Sequence, residues 1–182
     1  MRSRTTSDKD IGLGDNNMNF SVYIANTPNM AEYKNIQSTM PLNKGDIDAI
    51  GQACGNGWRK VFNVYAKLLY ALDSQHFSYR SNASSWQEYR DDYLLQANSH
   101  TALLFSPPFL FPLKNTVHII CGKTYAKSLL NSGKLKARLT WLDDEFALDK
   151  DNKVVVCPYF DYRQLSNIKI ERLAVILSTL KE

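Results

Sequence analysis

The densest set of groups able to grip a ligand is Asp161, Tyr162, Arg163, Gln164, Ser166 and Asn167, which follows the apolar run Val154-Val155-Val156-Cys157 and precedes a helical pattern over residues 168–180. A carboxylate, a phenol, a guanidinium and amides at the carboxyl end of a strand can hold a polar ligand by charge and hydrogen bonds. A second cluster, Asn26-Thr27-Pro28-Asn29 with Glu32, follows the strand-like residues 19–25 (NFSVYIA). Lys123 marks a third junction, where Gly122 turns a strand into a helix whose N-terminus suits an anion. Turn chemistry accounts for Asn29 and Asn167, and accounts less well for Arg163 and Gln164.

Other chemistries fail on spacing. A P-loop needs a glycine at position 117, which is Val117. Gly51, Gly55 and Gly57 follow no strand and make no dinucleotide fingerprint. His76, His100 and His118 are scattered, with no ligand spacing for a metal, and His118 reads as a core histidine within an apolar strand. Cys54, Cys121 and Cys157 form neither a disulfide framework nor a zinc set, and the last two end apolar runs as small buried residues do. Asp143-Asp144-Glu145 reads as a solvated turn rather than a cation site. No metal and no cofactor is expected.

The elements that must position these groups are legible from periodicity. Trp58, Val61, Phe62, Tyr65, Leu68, Leu69 and Leu72 recur at helical spacing, and so do Ile170, Leu173, Ala174, Leu177 and Leu180. Ser84 or Ser85 caps a helix with Glu88 near its first turn. Residues 100–106, 116–121 and 153–160 read as strands, 135–142 as a half-buried edge strand, and 149–152 as a hairpin turn. The loop 107–115 is unusually apolar, so Phe109, Leu110 and Phe111 must tuck inward or line a cavity. Strands alternating with helices predict a three-layer α/β/α domain with a mainly parallel sheet over residues 18–182, after a flexible tail at 1–17.

A formal charge of +4 permits an anionic partner without the Lys/Arg runs of a nucleic-acid tail. No segment has the length of a membrane span or the pattern of a signal peptide, which points to the cytoplasm and to no membrane partner. Oligomeric state is not encoded in any pattern of the chain.

Taken together, the three strand ends resemble the uracil-DNA glycosylase superfamily. Residues 25–32 (ANTPNMAE) are similar to its Gly-Glu-Ala-Pro-Gly-x-x-Glu motif through Pro28 and Glu32. Residues 120–126 (ICGKTYA) resemble its strand-to-helix junction, and 158–167 (PYFDYRQLSN) sits where it carries a His-Pro-Ser loop, with Tyr159, Leu165 and Asn167 in register. The chain also resembles a bacterial family with no assigned function. The superfamily resemblance implies a glycosylase-like fold and a DNA, nucleobase or nucleotide partner, with Asn26 or Thr27 at the water-positioning place. Pro28, Glu32, Lys123, Asp161, Tyr162, Arg163, Gln164 and Asn167 would surround the ligand. Phe160 replaces the histidine that stabilises the leaving base, a loss of about 3 kcal/mol in the transition state unless Arg163 supplies the charge. The competing readings are a non-enzymatic small-molecule or nucleotide binder, and an interaction domain whose pocket is filled by Phe160 and Tyr162.

Overall fold

The structure is a computed structural model that describes residues 9–110 and 115–182. Eight strands form one mixed sheet in the order β3-β1-β4-β2-β5-β8-β7-β6. They are β1 (Gly12–Gly14), β2 (Phe20–Tyr23), β3 (Thr39–Met40), β4 (Thr101–Leu104), β5 (Val117–Cys121), β6 (Thr140–Trp141), β7 (Ala147–Asp149) and β8 (Val154–Cys157). Six α-helices accompany them: α1 (Ala31–Lys34), α2 (Asp46–Cys54), α3 (Asn56–Ala71), α4 (Trp86–Asp92), α5 (Lys123–Asn131) and α6 (Asn167–Thr179).

The four central strands β4, β2, β5 and β8 run parallel, and every residue in them is buried. Val and Ile dominate because both faces of such strands meet packing partners. Alternation along the strands separates the faces. Phe20, Val22, Val117, Ile119 and Val155 join one core with α2, α3, α4 and α6, whereas Tyr23, Ile120, Val154 and Val156 join another with Ala126 and Leu129 of α5. Handedness explains the split. The chain leaves β2 for β4 in one direction and β5 for β8 in the other, and right-handed crossovers in opposite directions lie on opposite faces.

Helix α3 buries Val61, Phe62, Tyr65, Leu68 and Leu69, each worth about 1.5–3 kcal/mol of apolar transfer. Ser85 caps α4 by accepting from the Glu88 amide at 3.1 Å, and Glu88 Oε2 accepts from the Ser84 amide at 2.6 Å.

The expected α/β class holds, and the sheet is mixed: β1 with β3, β2 with β4 and β5, and β5 with β8 pair parallel, whereas β1 lies antiparallel to β4, and β7 antiparallel to β8 and β6. The hairpin at 149–152 reverses the chain, so β7 cannot continue the parallel run. The supposed tail also supplies a strand: Gly12–Gly14 pairs with β4 on one side and β3 on the other. A Cβ on Gly12 would overlap the Leu103 carbonyl oxygen and sit 2.7 Å from Leu104 Cα, so only glycine permits this approach. Asp15 then locks the strand's exit, its carboxylate accepting from the amides of Asn17 (3.0 Å) and His100 (2.9 Å). No helix among the described residues is long and apolar enough to cross a membrane.

Candidate functional site

The strand order reverses between β2 and β5, the place where open α/β sheets leave a crevice beyond the strands' carboxyl ends. A cleft of about 920 Å³ opens there, lined by the exits of β2 (Ala25), β5 (Cys121, Gly122) and β8 (Pro158, Tyr159). Its polar walls carry Lys123, Tyr125, Asp144, Glu145, Arg163 and Lys169.

Gly122 builds the rear wall. Its amide donates to the Cys157 carbonyl at 2.8 Å, prolonging the β5–β8 ladder by one bond, and its φ of +96° swings the chain directly into α5. The first bond of α5 runs from the Ala126 amide to the Gly122 carbonyl at 3.1 Å. The amides of Lys123, Thr124 and Tyr125 therefore precede the intrahelical ladder, and no side chain caps them. Negative charge is favoured at that end of a helix.

The loop after β8 anchors the second cation. Asp161 Oδ1 accepts from the Arg163 amide at 2.9 Å, and Oδ2 accepts from Arg163 Nη2 at 3.0 Å. Lys60 of α3 reaches Oδ2 at 3.5 Å. The Arg163 side-chain bond, with its amide and Lys60 assisting, holds the Asp161 carboxyl down at about 2. Arg163 thus reaches the cleft from a fixed base. Lys169 pairs with Glu145 at 2.8 Å. Lys123 has no carboxylate within ion-pair distance among the described residues.

The first cluster meets the exit of β8 just ahead of the last cluster: Asn26 Nδ2 donates to Tyr159 Oη at 3.0 Å. Burial raises the phenol of Tyr159, and burial likewise raises that of Tyr125, so both are protonated donors at neutral pH.

Of the residues expected around a ligand, Lys123, Arg163 and Gln164 line this cleft, and Asn26 borders it through Tyr159. The others lie elsewhere. Thr27 is exposed beyond the lining, Pro28 is buried, and Glu32 is on the exposed side of α1. Asp161 is buried as the anchor of Arg163, because its carboxylate is taken up by local donors. Tyr162 faces outward with its ring under Lys60 Nζ (4.9 Å), and Asn167 is an exposed first-turn residue of α6. Phe160 leaves the cleft altogether: it is fully buried, edge-on to Tyr65 at 5.8 Å. Phe109 and Leu110 line a separate cavity with Pro107 and Lys134, and Phe111 lies outside the described residues.

Tyr125, Tyr159 and Lys169 went unrecognised as site residues. For Tyr125 a signal existed, because Lys123, Thr124, Tyr125 and Ser128 crowd the first turns of α5. Lys169 offered none, since it reaches the cleft only by the tertiary placement of α6. The described residues contain no group of three or more His, Cys, Asp or Glu placed to hold a metal ion.

A family model matches residues 11–178. The chain belongs to that family, a family of unknown function (DUF6942). The match begins at β1 and extends through nearly all of α6, so it embraces every element that forms the cleft. No curated protein and no solved structure matches the chain.

Proposed function

We propose that this protein binds a nucleobase-bearing ligand, free or within a nucleic-acid strand, in the cleft beyond β2, β5 and β8. The observation that carries the reading is the meeting of an unpaired Lys123, an anchored Arg163, the open amides of α5 and two half-buried tyrosines in one cleft. Phosphate suits the cations and the helix N-terminus, and a planar base suits tyrosine surface. Asp144 and Gln164 add acceptors and donors for a base edge. The glycosylase-like three-layer arrangement belongs to this same reading, with the mixed sheet as an elaboration of its parallel centre.

Binding is proposed without hydrolysis. Phe160, at the position where the resembled glycosylase superfamily carries a histidine, is buried in the core, and the amide nitrogen of Asn26 is engaged by Tyr159. The test is thermal shift and fluorescence anisotropy at low ionic strength, with uridine and inosine monophosphates and with uracil- or hypoxanthine-containing oligonucleotides. Stabilisation by a nucleotide or salt-dependent oligonucleotide binding is expected, with Lys123→Gln and Arg163→Gln each weakening it about tenfold. Absence of any binding across all four probes removes the proposal. Base release from the oligonucleotides would replace binding by catalysis.

A further inference from the structure

Helix α6 carries apolar side chains on the face turned away from the core. Ile168 is 80% exposed and Val175 is 66% exposed. Seven residues make almost two whole turns, so the two side chains stand in one line, about 10 Å apart along the axis. Leu177, two and a half turns on from Ile168, is fully buried, so this line points directly away from the core.

A third apolar group stands beside the line. Leu142 is 46% exposed, and its neighbour Asp143 accepts from Arg172 Nη1. The Arg172 guanidinium also lies 4.5 Å from the centroid of the Phe146 ring, and Lys169 pairs with Glu145 at 2.8 Å, so the turn at 142–145 is clamped against α6. Three of the six exposed large apolar residues among the described residues therefore gather on this helix and its clamped turn. Scattered singly such residues are ordinary, whereas gathered on one face they mark a contact surface.

The charges on the flanks say what covers it. Glu171 stands on one side of the Ile168–Val175 line and Arg172 on the other, at nearly the same height along the axis. Glu171 is exposed and has no cation within ion-pair distance among the described residues. Arg172 is exposed too, and a guanidinium that gives one nitrogen to Asp143 has donors left for a second carboxylate. When a twofold axis lies parallel to two such helices, each flank meets the opposite flank of the other helix. Glu171 then faces the partner's Arg172 twice over, while Ile168 and Val175 each meet their own counterparts. Antiparallel packing joins like flanks and would set Glu171 against the partner's Glu171.

We propose that the outer face of α6 is the contact surface of a parallel homodimer, with Ile168 and Val175 on the dyad and a Glu171–Arg172 pair on either side. One helix and one turn bury less than a standard interface, so the dimer is weak and forms over about 10–500 µM protein. Of α6 only Lys169 lines the strand-end cleft, so association does not depend on what that cleft binds.

The test is sedimentation velocity of the full chain at low ionic strength, from about 5 µM to about 1 mM, which brackets that range. A concentration-dependent passage from monomer to dimer is expected. Val175→Lys puts like charges on the dyad and should weaken association at least tenfold, with circular dichroism unchanged because lysine suits an exposed helix position. Glu171→Arg sets like charges on both flanks and should weaken it about tenfold. Val175→Cys under mild oxidation should cross-link to itself, with the wild-type chain as the control for Cys54. A monomer at every concentration would overturn the proposal, as would association unchanged in both charge variants. So would a mixture of Ile168→Cys and Val175→Cys chains that links position 168 to position 175 in preference to like positions, since that is the antiparallel pairing.

Discussion

Asn26 and Tyr159 lie 133 residues apart and join the exits of β2 and β8 through a hydrogen bond of 3.0 Å from Nδ2 to Oη. These two strands are not neighbours, since β5 runs between them. The bond therefore spans the mouth of the central strand and sets the distance between the cleft's two sides. Tyr159→Phe removes the acceptor and keeps the ring. An unfolding free energy lower by about 0.5–1 kcal/mol is expected in urea titration. Nucleotide affinity should fall further than Asn26→Ser reduces it, because Tyr159 also lines the cleft.

Asp161 makes a prediction in acid. Its carboxyl is held at about 2 against an ordinary 3.8, chiefly by the Arg163 side chain. A depressed folded value means that the contribution to stability is complete above the ordinary value and is lost as pH falls through about 2. Asp143 behaves alike, held at about 2 by the amide of Glu145 and then by Arg172. Asp161→Asn should flatten the stability curve between about pH 4 and pH 2 in urea titrations. At neutral pH the same variant should weaken nucleotide binding by loosening Arg163.

His118 predicts a separate window. Its Nδ1 lies 2.8 Å from Tyr23 Oη, the two rings stack at 5.7 Å, and burial lowers the imidazole to about 4 from 6.5. The unfolded chain takes up this proton first, so the contribution of neutral His118 is present above pH 6.5 and is lost as pH falls towards 4. NMR titration should find His118 neutral at about pH 5 in the folded protein, where an unperturbed histidine is protonated. A midpoint near 6.5 would contradict the buried pairing.

The two glycines Gly12 and Gly57 should respond oppositely to alanine. At Gly12 the new methyl meets the backbone of Leu103 and Leu104, which cannot move without opening the sheet. A loss of about 2–3 kcal/mol is expected from such overpacking. At Gly57, in the first turn of α3, a Cβ meets nothing within 4 Å. There alanine should stabilise by about 0.5 kcal/mol through helix propensity. Paired urea denaturation of the two variants measures both.

Much of this architecture was legible because the strongest periodicities belong to its centre. β2, β4, β5 and β8 read as apolar runs, and α5 falls on Lys123–Asn131 as Gly122 indicated. The spacing of Ile170, Leu173, Ala174 and Leu177 announced the buried face of α6, to which the structure adds Ile176. The edges were not legible. Gly12-Leu13-Gly14 has one apolar side chain, and its pairing rests on a backbone approach that glycine permits without marking it as a strand. The edge strand anticipated over 135–142 shortens to Thr140–Trp141, because only that part meets β7.

The site was half legible for a related reason. Sequence placed polar groups at strand ends but not the direction of their side chains. Asp161 and Arg163 looked equivalent as ligand contacts, yet the carboxylate turns inward to hold the guanidinium. Phe160, beside them, follows the alternation into the core.

The outermost strands, β3 and β6, are two residues each. A foreign strand needs a run of unpaired amides and carbonyls to add itself to a sheet, and neither border offers one; Pro41 follows β3 at once. The fully buried strands β4, β2, β5 and β8, four or five residues each, are kept at the interior and fenced by these stubs. Lengthening β6 by replacing the turn at 142–145 would open that border, and the cost would appear as aggregation rather than as lost stability.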